Sequence, residues 1–243
     1  MKDLGWLLET PVAHRGYHGP GMPENSMAAF GAAIQNGYTI ELDVHATKDD
    51  VLVVFHDDNL VRMTGYHKTP EDCTFAEIRD LVLDSTAEKI PALAEVLDAV
   101  NGRVGLLIEI KQHPRIGHVE ELICRLLDTY QGKFAVVSFD PRILAWFYHN
   151  RPMYIRGQIS GGLKGTNLPV LQRFILKNLV VAFISRPDFI AYEYRYLTAW
   201  IRFFAGMFRL PVLAWTVRDP VTAKQCRDKG HGLIFEGFHA ART

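Results

Sequence analysis

Short runs of apolar and β-branched residues alternate with stretches of helical periodicity along the whole chain. That order is expected of a parallel sheet whose strands are joined by crossover helices. Eight runs read as strands: Pro11–Arg15, Thr39–Val44, Gly105–Lys111, Ala135–Phe139, Ile155–Ile159, Val180–Ser185, Val212–Val217 and Gly232–Phe235. Helical patterns lie between them, such as Asn25–Asn36, closed by Gly37, and Val119–Tyr130, closed by Gly132. Eight strand-and-helix units in 243 residues match a (β/α)8 TIM barrel, an α/β fold. An open doubly wound sheet would carry a glycine-rich phosphate turn after its first strand, and no such turn is found.

One stretch interrupts the alternation. After the second strand, Asp49-Asp50 forms a turn and Val51–His56 reads as a further strand, too close in sequence for a crossover helix. It is expected to be a hairpin extension above the barrel that carries His56 over the mouth. The following segment, Asp57–Ile90, is longer than an ordinary loop after a strand and rich in charge and turn residues, and a helix is expected from near Pro91. Residues 57–90 therefore read as a short insertion or lid after strand two, within one domain spanning 1–243.

Composition narrows the function classes. Hydrophobic residues make up 48% and charged residues 22%, ordinary globular usage. Lys plus Arg and Asp plus Glu both number 27, so no net field draws the chain to nucleic acid or to an anionic bilayer, and any phosphate must be met by local charge. Cys73, Cys124 and Cys226 are odd in number and lack the short paired spacings of zinc or redox motifs. The uncharged stretch Ser26–Ile40 is too short and polar to span a bilayer, and Met1–Glu9 lacks the apolar region of a signal peptide. A cytoplasmic location and no membrane contact are expected; oligomeric state is not readable from these features.

Strand periodicity then selects the chemistry. Glu41 and Asp43 share one face of the second strand, and Leu107, Glu109 and Lys111 share one face of the next barrel strand. Three inward carboxylates are costly unless a cation or a proton compensates them. All-oxygen ligands suit one hard divalent cation, Mg²⁺ or Ca²⁺, better than zinc. The competing reading is a buried ion-pair network of Lys111 with Glu41 or Glu109. His14 and Arg15 close the first strand ahead of Gly16. With His56 and Lys111 they stand at strand C-terminal ends, where barrel enzymes carry their active sites. Two imidazoles can divide general base and acid work, and an Arg fork with a Lys charge can orient a phosphate.

The remaining candidates read more plainly. His18, His67, His113, His118, His149, His231 and His239 sit in turns or at helix ends as solvated or capping residues, while His45 continues the inward face of Glu41 and Asp43. Trp215 is either barrel packing or a substrate-binding pocket wall. Tyr192–Arg209, with its aromatic and arginine residues, reads as an outer helix with a core-facing stripe in preference to a membrane-surface segment.

Five ordered blocks resemble the glycerophosphodiester phosphodiesterases: His14-Arg15-Gly16; Pro23-Glu24-Asn25-Ser26 with Ala29-Phe30; Glu41-Leu42-Asp43-Val44; Val54-Phe55-His56-Asp57; and Glu109-Ile110-Lys111. Ser138-Phe139 and Trp215-Thr216-Val217 extend the likeness over essentially the whole chain. The resemblance implies a TIM barrel with a short insertion after strand two. It assigns Glu41, Asp43 and Glu109 to the metal, His14 and His56 to acid/base chemistry, and Arg15 and Lys111 to the phosphate. Many members carry Asp followed closely by Pro after strand eight, where this chain has Ile234-Phe235-Glu236-Gly237, so the alcohol-binding rim, to which Gln158 and Gly161-Gly162 are candidates, departs from the pattern. The expected reaction is metal-dependent cleavage of a glycerophosphodiester to glycerol 3-phosphate and an alcohol. Two alternatives stand beside it: a barrel phosphodiesterase or lyase acting on a lipid or sugar phosphodiester, and a non-catalytic barrel that binds phosphodiesters or a protein.

Overall fold

The computed structural model describes residues 2–162 and 169–241, which fall into two compact units, one of residues 12–134 and the other of residues 2–11, 135–162 and 169–241.

The 12–134 unit is built on three parallel strands. β1 (Val12–Ala13) and β2 (Thr39–Ala46) pair through Val12 with Thr39 and Ala13 with Ile40. The antiparallel β3 (Leu52–Val54) folds back on the end of β2, pairing Val44 with Val54 and Ala46 with Leu52, as the Asp49-Asp50 turn predicts. β4 (Leu106–Ile110) runs parallel to β2 in a register that sets Asp43 beside Glu109. Both faces of β2 are buried along its whole length, which is why its sequence is apolar on one face and acidic on the other without a solvent-facing side. The connection from β1 to β2 is the helix Met27–Asn36; the Ser26 hydroxyl caps it by accepting from the Ala29 N–H, and Gly37 closes it at φ 62°. Its Ala29, Phe30 and Ala33 are buried.

Residues 57–90 are folded rather than extended. Two single-turn helices, Val61–Thr64 and Phe75–Ile78, and a 3₁₀ turn at Pro70–Asp72 close around Leu60, Met63, Cys73, Ile78, Leu83 and Ile90, packed with Val53 and Phe55. The insertion thus has a small core anchored on β3. The expected helix after Pro91 is observed at Leu93–Val100.

The second unit carries five further parallel strands in sequential order: β5 (Phe134–Ser138), β6 (Ile155–Ser160), β7 (Phe189–Glu193), β8 (Val212–Val217) and β9 (Gly232–Phe235). Helices Pro141–Asn150, Ala199–Met207 and Pro220–Arg227 lie between them; Asp140 and Asp219 cap two of these N-termini with Pro at the first helical position.

Several boundaries differ from the pattern. Val180–Ser185 is not a strand: its last four residues are the single-turn helix Ala182–Ser185, and the strand lies beyond the Arg186-Pro187-Asp188 turn at Phe189–Glu193. Phe183 and Ile184 face solvent, so this apolar run has no sheet to pack into. β1 stops at Ala13 because Arg15 takes a left-handed conformation, φ 55°. The helix predicted over Val119–Tyr130 spans His118–Leu127 and ends on Asp128, ahead of Gly132. Tyr192–Arg209 is not one helix: Tyr192 belongs to β7, Tyr194–Tyr196 is a 3₁₀ turn and the helix covers Ala199–Met207. All three cysteines are buried and outside any disulfide, and no helix among the described residues is long and apolar enough to cross a membrane.

Candidate active site

The candidate residues of the 12–134 unit gather at the C-terminal ends of β1, β2 and β4. Strand alternation turns Glu41 and Asp43 to one face, and the β2–β4 register brings Glu109 alongside. One carboxylate oxygen from each of the three lies within 4.8 Å of the others, and all three side chains are buried. Two cations meet them. Lys111 Nζ stands 2.6 Å from Asp43 Oδ1 and 2.7 Å from Glu109 Oε1. Arg15 donates its backbone N–H to Glu41 Oε2 at 2.7 Å, with its Nε 3.6 Å from Asp43 Oδ2.

The β1–helix turn delivers Arg15. Gly16 follows at φ 79° and donates to the Glu41 carbonyl, and a Cβ there would stand 2.9 Å from the Ala29 Cβ, so only glycine lets the chain turn against this helix. His14 stands on the same turn, half-buried at the end of β1. Asn25, also left-handed at φ 55°, donates from Nδ2 to Asp43 Oδ2 at 2.8 Å and orients that carboxylate.

His56 arrives from the end of the β3 hairpin. Its Nδ1 lies 2.7 Å from Asp57 Oδ1. With the ring neutral, the Asp57 carboxylate can only accept there, which places the proton on Nδ1 and leaves Nε2 as the basic atom. Arg62 donates to both oxygens of Asp57 and to Glu24 Oε1, and Glu24 Oε1 in turn accepts from Arg15. A continuous chain of hydrogen bonds therefore links His56 to Arg15 through Asp57, Arg62 and Glu24. His56, Asp57, Arg62 and Lys111 line one open cleft of about 520 Å³.

The electrostatics follow from burial against these partners. Burial pushes Glu41 well above the usual carboxylate range, and the neighbouring charges of Asp43 and Glu109 add to it. Burial acts on Asp43 the same way, but Lys111, His56 and Arg15 outweigh it and hold Asp43 below its ordinary value. The Lys111 ammonium is disfavoured by burial, yet Asp43 and Glu109 raise it above the ordinary lysine value. Burial lowers His56. Asp57 is pulled down to about 2, its burial outweighed by the hydrogen bonds from Arg62 and His56.

The donor set fits a hard divalent cation. Three carboxylates converge with no thiolate, and Glu41 ionises only with difficulty in this arrangement, so a further positive charge at the cluster would favour its ligating form. Asp43 Oδ1 is buried and engaged only by the Lys111 ammonium at 2.6 Å, the kind of charge contact a hard cation would share or replace. The ion-pair reading and the metal reading are both visible here, because Lys111 does pair with Asp43 and Glu109.

Other predicted residues lie elsewhere. His45 turns its Nδ1 to Glu71 Oε1 at 2.6 Å, bracing the insertion against β2. His113, expected to be solvated, is buried with Nε2 3.5 Å from the buried Glu120. In the second unit, Trp215 on β8 meets Phe139 edge-on at 5.9 Å and is partly buried. Gln158, a rim candidate, is instead fully buried and donates from Nε2 to the carbonyls of Ser138, Phe139 and Ile159. Gly162 donates to Glu193 Oε2, and the Gly161 backbone passes so near Glu193 that a Cβ there would stand 2.7 Å from the Glu193 Cβ. Glu24, Asp57 and Arg62 were assigned no role from the sequence. Glu24 and Asp57 adjoin assigned motif residues, whereas Arg62 lies on the insertion, and only folding brings it to Asp57.

Paired strand-end carboxylates, cations and an imidazole on a parallel α/β scaffold define a class: phosphate-ester hydrolases that work with a divalent cation. The comparison with known proteins is more specific. The glycerophosphoryl diester phosphodiesterase family profile matches residues 14–236. The chain belongs to this family and is, with it, a phosphodiester hydrolase dependent on a divalent metal. A Bacillus subtilis protein assigned by name to the glycerophosphodiester phosphodiesterases is 32% identical over 228 residues, covering 90% of each chain. A human lysophospholipase D is 34% identical over 133 residues, 49% of this chain and 42% of its own. An Oleispira antarctica phosphodiesterase, solved in complex with the product sn-glycerol-3-phosphate, superposes with a TM-score of 0.79 at 22% identity over 94% of this chain and 93% of its own. The fold is the (β/α)8 barrel that the strand count predicts.

Proposed function

We propose that the chain hydrolyses small glycerophosphodiesters to glycerol 3-phosphate and an alcohol in the cytoplasm, with Mg²⁺ or Ca²⁺ held by Glu41, Asp43 and Glu109. The observation that carries this reading is the convergence of those three buried carboxylates with Lys111 and Arg15. The product bound by the Oleispira antarctica protein supports the substrate class, and three buried cysteines outside any disulfide accord with a reducing compartment.

Held by Glu41, Asp43 and Glu109, a divalent cation would supply Lewis-acid stabilisation of charge on the phosphoryl oxygens. Arg15 and Lys111 orient the phosphate and neutralise its equatorial oxygens. His56, kept neutral by burial and fixed by Asp57, takes a proton at Nε2 from the attacking hydroxyl or water. His14 returns a proton to the departing alkoxide. Residues 57–90 act as a lid that holds His56 and Arg62 in place.

A second reading, hydrolysis of lysophospholipids, is favoured by the likeness to the human lysophospholipase D. Assaying lysophosphatidylcholine against glycerophosphocholine separates the two. For the residue roles, His14→Ala and His56→Ala should each lower turnover of glycerophosphocholine by about 10²–10⁴-fold with folding retained, the range for a positioned acid or base. Unchanged turnover in both variants refutes the two-histidine mechanism.

A further inference from the structure

The helix Ala199–Met207 buries Ile201, Phe204 and Ala205, the expected core-facing stripe, but its opposite side is apolar as well. Trp200, Phe203 and Met207, spaced three and four residues apart, are 52%, 62% and 56% exposed. An outer helix ordinarily turns polar residues to water. The exposed apolar surface continues onto the neighbouring turn: the Phe183 ring lies 6.2 Å from that of Phe204 and 5.6 Å from that of Phe208, and Ile184 beside it faces solvent.

The helix Val170–Lys177 of the same unit is more extreme. It buries no residue, and Val170, Leu171 and Phe174 all face solvent. Its C-terminal end is held by polar contacts: the Tyr192 hydroxyl donates to the Lys177 carbonyl at 2.7 Å, and the Ser160 hydroxyl to the Leu176 carbonyl at 2.8 Å.

Charge identifies the occupant. Between Pro169 and Leu210 the chain carries Arg173, Lys177, Arg186, Arg195, Arg202 and Arg209 but only two acids, Asp188 and Glu193, in a protein that is neutral overall. Both acids are engaged: Asp188 pairs with Lys2 at 2.9 Å, and Glu193 accepts from the Gly162 N–H at 3.0 Å. We propose that the surface carried by residues 170–208 docks on an anionic lipid bilayer, its aromatic side chains entering the headgroup boundary and its arginines meeting lipid phosphates. Trp and Phe beside Lys and Arg is the composition that such an interface selects. A second copy of the chain fits less well, since a symmetric contact would oppose like charges.

This inference does not depend on the catalytic reading, because binding is measured without turnover. The intact protein is sedimented with vesicles of phosphatidylcholine alone and of phosphatidylcholine with phosphatidylglycerol, at low and high salt. The expected result is partition onto the anionic vesicles at least about tenfold above the neutral ones, weakened by salt as the screening length shrinks. Trp200→Glu with Phe203→Glu should lower that partition at least about tenfold, and Phe174→Glu should lower it independently. Hydrolysis of soluble glycerophosphocholine should stay within about twofold of wild type in these variants, since exposed surface substitutions rarely unfold a protein. Wild type that remains in the supernatant with both vesicle types, or variants that partition like wild type, would overturn the proposal. So would a wild-type dimer that the double variant dissociates, if neither protein partitions onto vesicles.

Discussion

Replacing Lys111 by Met tests whether this ammonium is what makes the carboxylate cluster tolerable before a metal binds. Lys111 is nearly enclosed, its Nζ 2.6 Å from Asp43 and 2.7 Å from Glu109, while Glu41 stands beside both acids. The substitution keeps the aliphatic bulk and removes the charge, leaving three buried carboxylates against Arg15. Removing one partner of a buried pair costs about 3–5 kcal/mol, because the other charge is left uncompensated. For a chain of this size each kcal/mol shifts the melting temperature by about 2–4 °C, so metal-free Lys111→Met should melt about 6–20 °C below wild type. A divalent cation binding the same oxygens offsets the same repulsion. Calorimetry with and without Mg²⁺ should therefore show a larger metal-induced increase in the variant than in wild type. A metal-free melting point within about 2 °C of wild type would refute the reasoning, as would equal metal-induced increases in both proteins.

Two further outcomes follow from the same geometry. Asp57→Asn should lower kcat by roughly 10–100-fold with little change in KM, the usual loss when a group that orients a working side chain is altered, checked by steady-state kinetics on glycerophosphocholine. Burial favours neutral His56 in the folded protein, so its protonation on acidification reduces both activity and stability. The midpoint of the acid limb of kcat/KM should accordingly fall below pH 6.5, the ordinary histidine value, and a midpoint above neutrality would contradict a neutral His56 base.

Much of the fold was legible because strand periodicity and helix punctuation act locally. Ser26 and Gly37 mark the ends of their helix by hydrogen bonds within one turn, and alternation alone turns Glu41, Asp43, Glu109 and Lys111 to one face. The sixth predicted strand was misplaced for a physical reason. Val180–Ser185 and Phe189–Glu193 are comparably apolar, and only the Arg186-Pro187-Asp188 turn and the exposure of Phe183 and Ile184 decide between them. The site was legible where it is built from strand ends and obscure where it is built from tertiary contacts. Arg62 reaches Asp57 and Glu24 only because the insertion folds around Leu60, Met63 and Ile78. Gln158 is polar on a strand, as a rim residue would be, yet it spends its amide on three backbone carbonyls inside the protein.

The central claim is that a cation at Glu41, Asp43 and Glu109 enables cleavage of a glycerophosphodiester. Its most direct test is release of glycerol 3-phosphate from glycerophosphocholine by metal-stripped protein, with Mg²⁺, Ca²⁺ or Mn²⁺ restored one at a time to wild type and to Glu41→Gln, Asp43→Asn and Glu109→Gln. The account predicts no release without metal, release by wild type when a cation is restored, and loss of that recovery in all three variants. Release by stripped wild-type protein, or full recovery in any carboxylate variant, would contradict it.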